Sequence, residues 1–135
     1  MSPEPHLVLD SSALLAYLRA EPGSDRVGVA LKQSTAISAV NWAEVLSKLV
    51  DFGYDASAAG EQFRDSGLGS AITIWPFDES FARVVASLRD QTRPFGLSLG
   101  DRACLALGLL LKVPILTADR KWSQLKIRVS LRFIR

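Results

Sequence analysis

Carboxylates are the residues of this chain best placed to do chemistry. Asp10 closes the short apolar run His6-Leu-Val-Leu, and Asp119 follows the run Val113-Pro-Ile-Leu-Thr117 after a single residue. Asp101 stands at the head of the most apolar segment, which continues from Ala103 to Leu111. Each also has a purely structural reading. Asp10 and Asp119 suit the N-cap of a following helical turn, and Ser98-x-x-Asp101 has the form of a capping box. Glu44 is a different case: it lies nearly opposite the bulky positions Trp42, Leu46 and Leu49, with Lys48 four residues on, which reads as a solvent-exposed ion pair. Val40, Ala43 and Ser47 form a less bulky face that could pack on a sheet, leaving the bulky face for a subunit interface. Sulfur and imidazole chemistry has little to work with. His6 is the only histidine and Cys104 the only cysteine, so a Cys–His nucleophile or a structural zinc site is implausible.

The elements that must position these acids alternate in type. Residues 6–10 read as a strand, followed by a helix through Arg19, a break at Glu21-Pro-Gly-Ser24 and a second short helix over 25–32. Thr35–Ser38 reads as a strand and 40–52 as a helix ending at Gly53. Residues 55–66 read as a weak helix, 71–75 as a strand stopped by Pro76, and 78–90 as an amphipathic helix with Phe81, Val84, Val85 and Leu88 on one side. Residues 98–111 form the buried helix, with Asp101, Cys104, Leu105 and Gly108 sharing a face. A strand over 113–117, a turn or two of helix over 120–125 and a last strand over 127–134 complete the chain. This alternation predicts an α/β fold with a mainly parallel sheet covered on both faces, formed as one domain over 1–135. In such a sheet ligands bind beyond the carboxyl ends of the strands, and a parallel arrangement would bring Asp10 and Asp119 to that same edge.

Composition narrows the class. The chain has 135 residues, 48% hydrophobic and 22% charged, which excludes disorder. Its longest apolar run has nine residues, far below the ~20 that a bilayer requires. No basic residue precedes Arg19, unlike a secretory leader, and a lone cysteine suits a reducing, cytoplasmic setting. The net charge of +2 conceals a split: residues 1–118 carry 10 basic and 13 acidic side chains, while 119–135 carry Asp119 against six basic ones. An acidic body with a basic tail suits nucleic acid, although basic residues on a solvated edge strand would look the same.

Taken together and in order, Leu-Asp10-Ser-Ser, Trp-Ala-Glu44-Val, Leu99-Gly-Asp101-Arg-Ala and Leu-Thr117-Ala-Asp119-Arg resemble the PIN-domain ribonucleases, and more closely the VapC toxins of bacterial toxin–antitoxin pairs. The resemblance spans nearly the whole chain. It implies a five-stranded parallel sheet with acids clustered at its carboxyl edge around Mg²⁺ or Mn²⁺. Asp10, Glu44 and Asp101 take the places of the family's invariant acids, Asp119 that of a fourth, and Ser12 and Thr117 those of small hydroxyl residues that orient carboxylates. In this reading Glu44 is a site residue after all.

The chemistry implied is metal-assisted hydrolysis of RNA phosphodiesters. Two carboxylates ~5 Å apart repel by ~3 kcal/mol at an effective dielectric near 20, so several together take up protons or a cation. Mg²⁺ suits an all-oxygen donor set. Arg102, Arg120 and Lys121 flank the acids and are candidate RNA contacts; Trp75 and Trp122 read first as core and only second as base-stacking residues. The resemblance further implies a small VapB-like antitoxin partner and a homodimer. Segments 53–70 and 86–97 carry no recognisable motif. Two rivals stand beside this reading: a catalytically silent module of the same fold that binds RNA or a partner, and a phosphoacceptor signalling domain. The second wants a pair of acids where Asp10 is followed by two serines, and a lysine after the last strand.

Overall fold

Residues 4–135 are described by the computed structural model. Three short apolar runs form the middle of a five-stranded sheet: β1 (Leu7–Leu9), β2 (Thr35–Ser38) and β4 (Ile115–Thr117), flanked by β3 (Ile72–Trp75) and β5 (Leu131–Phe133). The strand order is β3-β2-β1-β4-β5, and every pair is parallel. Val8 pairs with Ala36 on one side and with Ile115 on the other. β1, β2 and β4 are buried throughout, as strands covered on both faces must be.

Among the described residues eight α-helices flank the sheet: α1 (Ser11–Leu18), α2 (Ser24–Ala30), α3 (Ala39–Asp51), α4 (Ala56–Asp65), α5 (Leu68–Ala71), α6 (Glu79–Ser87), α7 (Arg89–Thr92) and α8 (Leu99–Leu111). Because successive side chains of a strand point to opposite faces, Leu7 and Leu9 join one core and Val8 the other. The first core adds Leu14, Val27, Val45 and Phe63; the second adds Phe81, Val85, Leu105 and Trp122. α8 is buried nearly all round from Gly100 to Gly108. Among the described residues no helix is long and apolar enough to cross a membrane.

Several bounds differ from those read in the sequence. The last strand is confined to 131–133, because residues 127–129 form bends that turn Ile127 and Val129 toward the second core instead of extending the ladder. Residues 78–90 divide at the buried Leu88 into α6 and α7. A single helical turn, α5, precedes β3 where none was expected. α3 turns a different face to the sheet: Asn41 and Val45 are its buried residues, and Trp42 packs on Phe63 of α4 with ring centroids 4.4 Å apart. Ala43 and Ser47 are exposed, and the bulky face is partly covered within the chain.

Candidate active site

A parallel sheet delivers the ends of β1 and β4 to one edge, and two hydroxyls lace them together there. Asp10 caps α1, with Oδ1 accepting from the Ala13 amide at 2.8 Å and from Ser12 Oγ at 2.7 Å. Its Oδ2 accepts from Thr117 Oγ1 at 2.5 Å. Thr117 Oγ1 in turn accepts the amide of Asp119 at 3.0 Å, and Ser12 Oγ accepts that of Ala118 at 2.9 Å. Each hydroxyl therefore donates to Asp10 and accepts from the chain beyond β4, which fixes Asp10 against the segment that carries Asp119. Asp119 caps the 3-10 turn Arg120–Gln124 through the Lys121 amide at 3.1 Å.

The other two acids come from helices. Asp101 and Ser98 form a reciprocal capping box at the start of α8. Glu44 Oε1 accepts from Ser11 Oγ at 2.8 Å and from Asn41 Nδ2 at 2.9 Å, so the glutamate faces inward, and the expected surface pair with Lys48 is absent among the described residues. Asn41 Nδ2 also donates to the Gly100 carbonyl at 3.0 Å, joining α3 to the head of α8. Gly100 is what lets them meet. A Cβ there would stand 2.3 Å from Glu44 Oε2 and 2.6 Å from its Cδ.

The acids lie near enough for their charges to act on one another. Burial pushes the Asp10 carboxyl up to about 6, against the opposing pull of the Thr117, Ser12 and Ala13 hydrogen bonds, and the charge of Asp101 adds to the rise. Asp101 is raised chiefly by burial, is held down by its bonds to Ser98, and is pushed further by Glu44 and Asp119. The Cys104 thiol, one turn along α8, is pushed well up by burial and by Asp10, Asp101 and Glu44 together. It is a buried, protonated core residue. Among the described residues no lysine or arginine forms an ion pair with any of the four acids.

Such a set fits a hard divalent cation in one particular manner. Among the described residues no three His, Cys, Asp or Glu side chains stand together closely enough to cage an ion. Mg²⁺ needs no cage: it is commonly held by one or two carboxylates and keeps several waters. Oxygen donors, mutual repulsion and the lack of an ion pair to the acids among the described residues all suit that mode.

All four acids reach the carboxyl edge, and the capping roles of Asp10, Asp101 and Asp119 coexist with membership of the group. Arg102 does not belong there. It is 9% exposed, with Nη1 directed at the Val85 carbonyl of α6, so it lies beneath the surface that RNA would meet. Arg120 and Lys121 are exposed, Arg120 Nε donating to the Arg135 carbonyl at 2.8 Å. Trp122 is buried and Trp75 packs on the second core, as their core readings expected. Ser11, Asn41 and Gly100 were missed. Asn41 and Ser11 bind Glu44 from a helical turn before it and from another helix; only the spacing of Asn41, three residues ahead, hinted at a partner.

A family model described as PIN domain matches residues 7–127. No curated protein matches the sequence. Among solved structures, a toxin–antitoxin complex from Klebsiella pneumoniae is 18% identical with a TM-score of 0.71, covering 96% of this chain and 98% of its own. FitAcB from Neisseria gonorrhoeae is 19% identical with a TM-score of 0.69, covering 95% and 97%. A VapC toxin of Mycobacterium tuberculosis that cleaves the sarcin–ricin loop is 16% identical with a TM-score of 0.68, covering 92% and 98%. At these identities the structural likeness speaks for the fold.

Proposed function

The chain belongs to the PIN-domain family, and from that premise we propose that it is a metal-dependent endoribonuclease and the toxin of a toxin–antitoxin pair. The observation that carries the activity is the convergence of Asp10, Glu44, Asp101 and Asp119 at one sheet edge without a basic partner among the described residues. Asp10 and Asp101 are the first choices to hold Mg²⁺ or Mn²⁺, with Glu44 and Asp119 ligating directly or through water. When bound, the ion supplies an acidified water and stabilises charge developing on the phosphate.

The chain's own residues do the positioning. Ser12 and Thr117 hold both Asp10 oxygens, and Ser11 and Asn41 aim Glu44 inward. Fixing the carboxylates before substrate arrives is what makes the site electrostatically prepared for a charged transition state. Arg120 and Lys121, exposed beside Asp119, are placed to meet RNA backbone phosphates.

The toxin role and a small VapB-like antitoxin partner are supported by the neighbours from toxin–antitoxin complexes, and a homodimer and a cytoplasmic setting belong to the same proposal. Purified protein is expected to cut a structured RNA in the presence of Mg²⁺, while Asp101→Asn does not. Equal cleavage by the variant would overturn the activity. Growth arrest on expression, relieved by a co-expressed antitoxin, tests the toxin role; unimpaired growth with soluble, active enzyme would refute it.

A further inference from the structure

A pocket of about 210 Å³ shares Ser12 with the acidic site, and three of its seven lining residues are cationic. Ser12, whose hydroxyl holds Asp10, forms part of it, together with Leu15, Arg19, Glu21, Lys48, Phe52 and Arg135. Lys48 lies one turn beyond Glu44 on α3, so the pocket continues from the acids along the groove between α1 and α3. Three cations against one anion leave it with a net charge of +2.

Arg19 and Arg135 share one anion, Glu21, so the pocket's positive charge is only partly compensated. The Arg19 guanidinium lies 3.4 Å from the centroid of the Phe52 ring, whose face attracts and orients it. Glu21 stands between Arg19 and Arg135 at 3.9 and 3.8 Å, at the outer limit of an ion pair. Arg135 is anchored by donating to the Pro22 carbonyl at 2.8 Å. Lys48 forms no ion pair among the described residues, although Glu44 is four residues away. At ~30 Å³ per water the space takes about seven waters, which suits a phosphate group and not a stacked duplex.

We propose that this pocket is a phosphate subsite for single-stranded RNA, in which Lys48 and Arg19 bind the backbone phosphate next to the scissile one while Phe52 positions Arg19. The proposal rests on the nuclease reading, and it explains how a polyanion stays beside a group of carboxylates that repel it. The pocket attracts one phosphate where the acids, with their cation, receive the next. A protein segment rich in carboxylates would meet the same charges, but an Arg–aromatic pair and a lysine around a small cavity favour the compact charge of a phosphodiester.

The test is binding of a fluorescent single-stranded RNA to the whole protein in EDTA, at a series of KCl concentrations. Lys48→Gln or Arg19→Gln should weaken binding by roughly three- to tenfold at low salt and lower the slope of log K against log salt by about 0.7 each. Lys112→Gln, an exposed control at the opposite end of α8, should change neither. An unaltered slope in both pocket variants, or no binding by the wild type, overturns the subsite. So does competition by polyglutamate as effective as that by unlabelled RNA. Cleavage that survives Asp101→Asn would sink the nuclease reading and leave this binding result to stand separately.

Discussion

Replacing Gly100 by alanine isolates the contact that makes Glu44 a site residue. The new Cβ would stand 2.3 Å from Glu44 Oε2, where ordinary contact begins near 3.4 Å, so the carboxylate must retreat by about 1 Å. In doing so it gives up good geometry to Ser11 Oγ and Asn41 Nδ2. Two charge-assisted bonds at ~1.5 kcal/mol each set the loss near 3 kcal/mol, reduced where water reaches the half-buried carboxylate. Against this, alanine in a helix gains about 1 kcal/mol over glycine. The variant should therefore fold, with a net loss of about 1–2 kcal/mol, while cleavage falls by about a hundredfold, the size of effect a 1 Å misplacement produces. Denaturant unfolding of Gly100→Ala in wild-type and Glu44→Ala backgrounds forms the decisive cycle. With the carboxylate gone the three atoms nearest the new Cβ are removed, and the penalty of the same substitution should largely disappear, leaving the helix-propensity gain of up to about 1 kcal/mol. A penalty of equal size in both backgrounds, or unimpaired cleavage by Gly100→Ala, would refute the reasoning.

Three further outcomes follow from the same site. Asp10 titrates near 6 in the folded chain against 3.8 in the unfolded one, so between about pH 4 and 6 the folded state holds the extra proton and stability falls as pH rises, by about 3 kcal/mol in all. Asp10→Asn should remove that fall; urea midpoints at pH 4.5 and 7 whose difference is unchanged in the variant would contradict it. Mg²⁺ at a hundredfold excess over its Kd should stabilise the wild type by about 2.7 kcal/mol and leave an Asp10→Asn, Asp101→Asn double variant unmoved, as read by thermal melting. An equal shift in both proteins would place the ion elsewhere. Thr117→Val deprives Asp10 Oδ2 of its donor and the Asp119 amide of its acceptor, costing about 1–3 kcal/mol and pushing the Asp10 carboxyl further up. The pH profile of cleavage should then shift its acid limb toward higher pH, and a limb that stays put would count against Thr117 as the residue that orients Asp10.

Much of the site was legible because its signals are local. Asp10 follows its apolar run directly and Asp119 after one residue, and a cap needs only the next three residues, so their caps could be read without any neighbour in space. The capping box of Ser98 and Asp101 is legible for the same reason. Arg102 was misread because a guanidinium next to an acid looks like a surface charge. Only the packing of α6 against α8 buries it.

The sequence by itself determined the strands β1, β2 and β4, the alternation that makes the sheet parallel, and hence the arrival of Asp10 and Asp119 at one edge. Apolar runs of three to five residues between helical patterns allow little else. Tertiary structure alone decided which face of α3 turns inward. Helical periodicity ranks faces by bulk, and on that ranking Glu44 is outside. A helix, however, buries whichever face its neighbours can receive, and here α8 receives a carboxylate through Gly100, 56 positions further along the chain. The same long-range contacts, with Ser11 across from α3 and Asn41 bridging to α8, turned a glutamate with the spacing of a surface ion pair into a member of the acidic site.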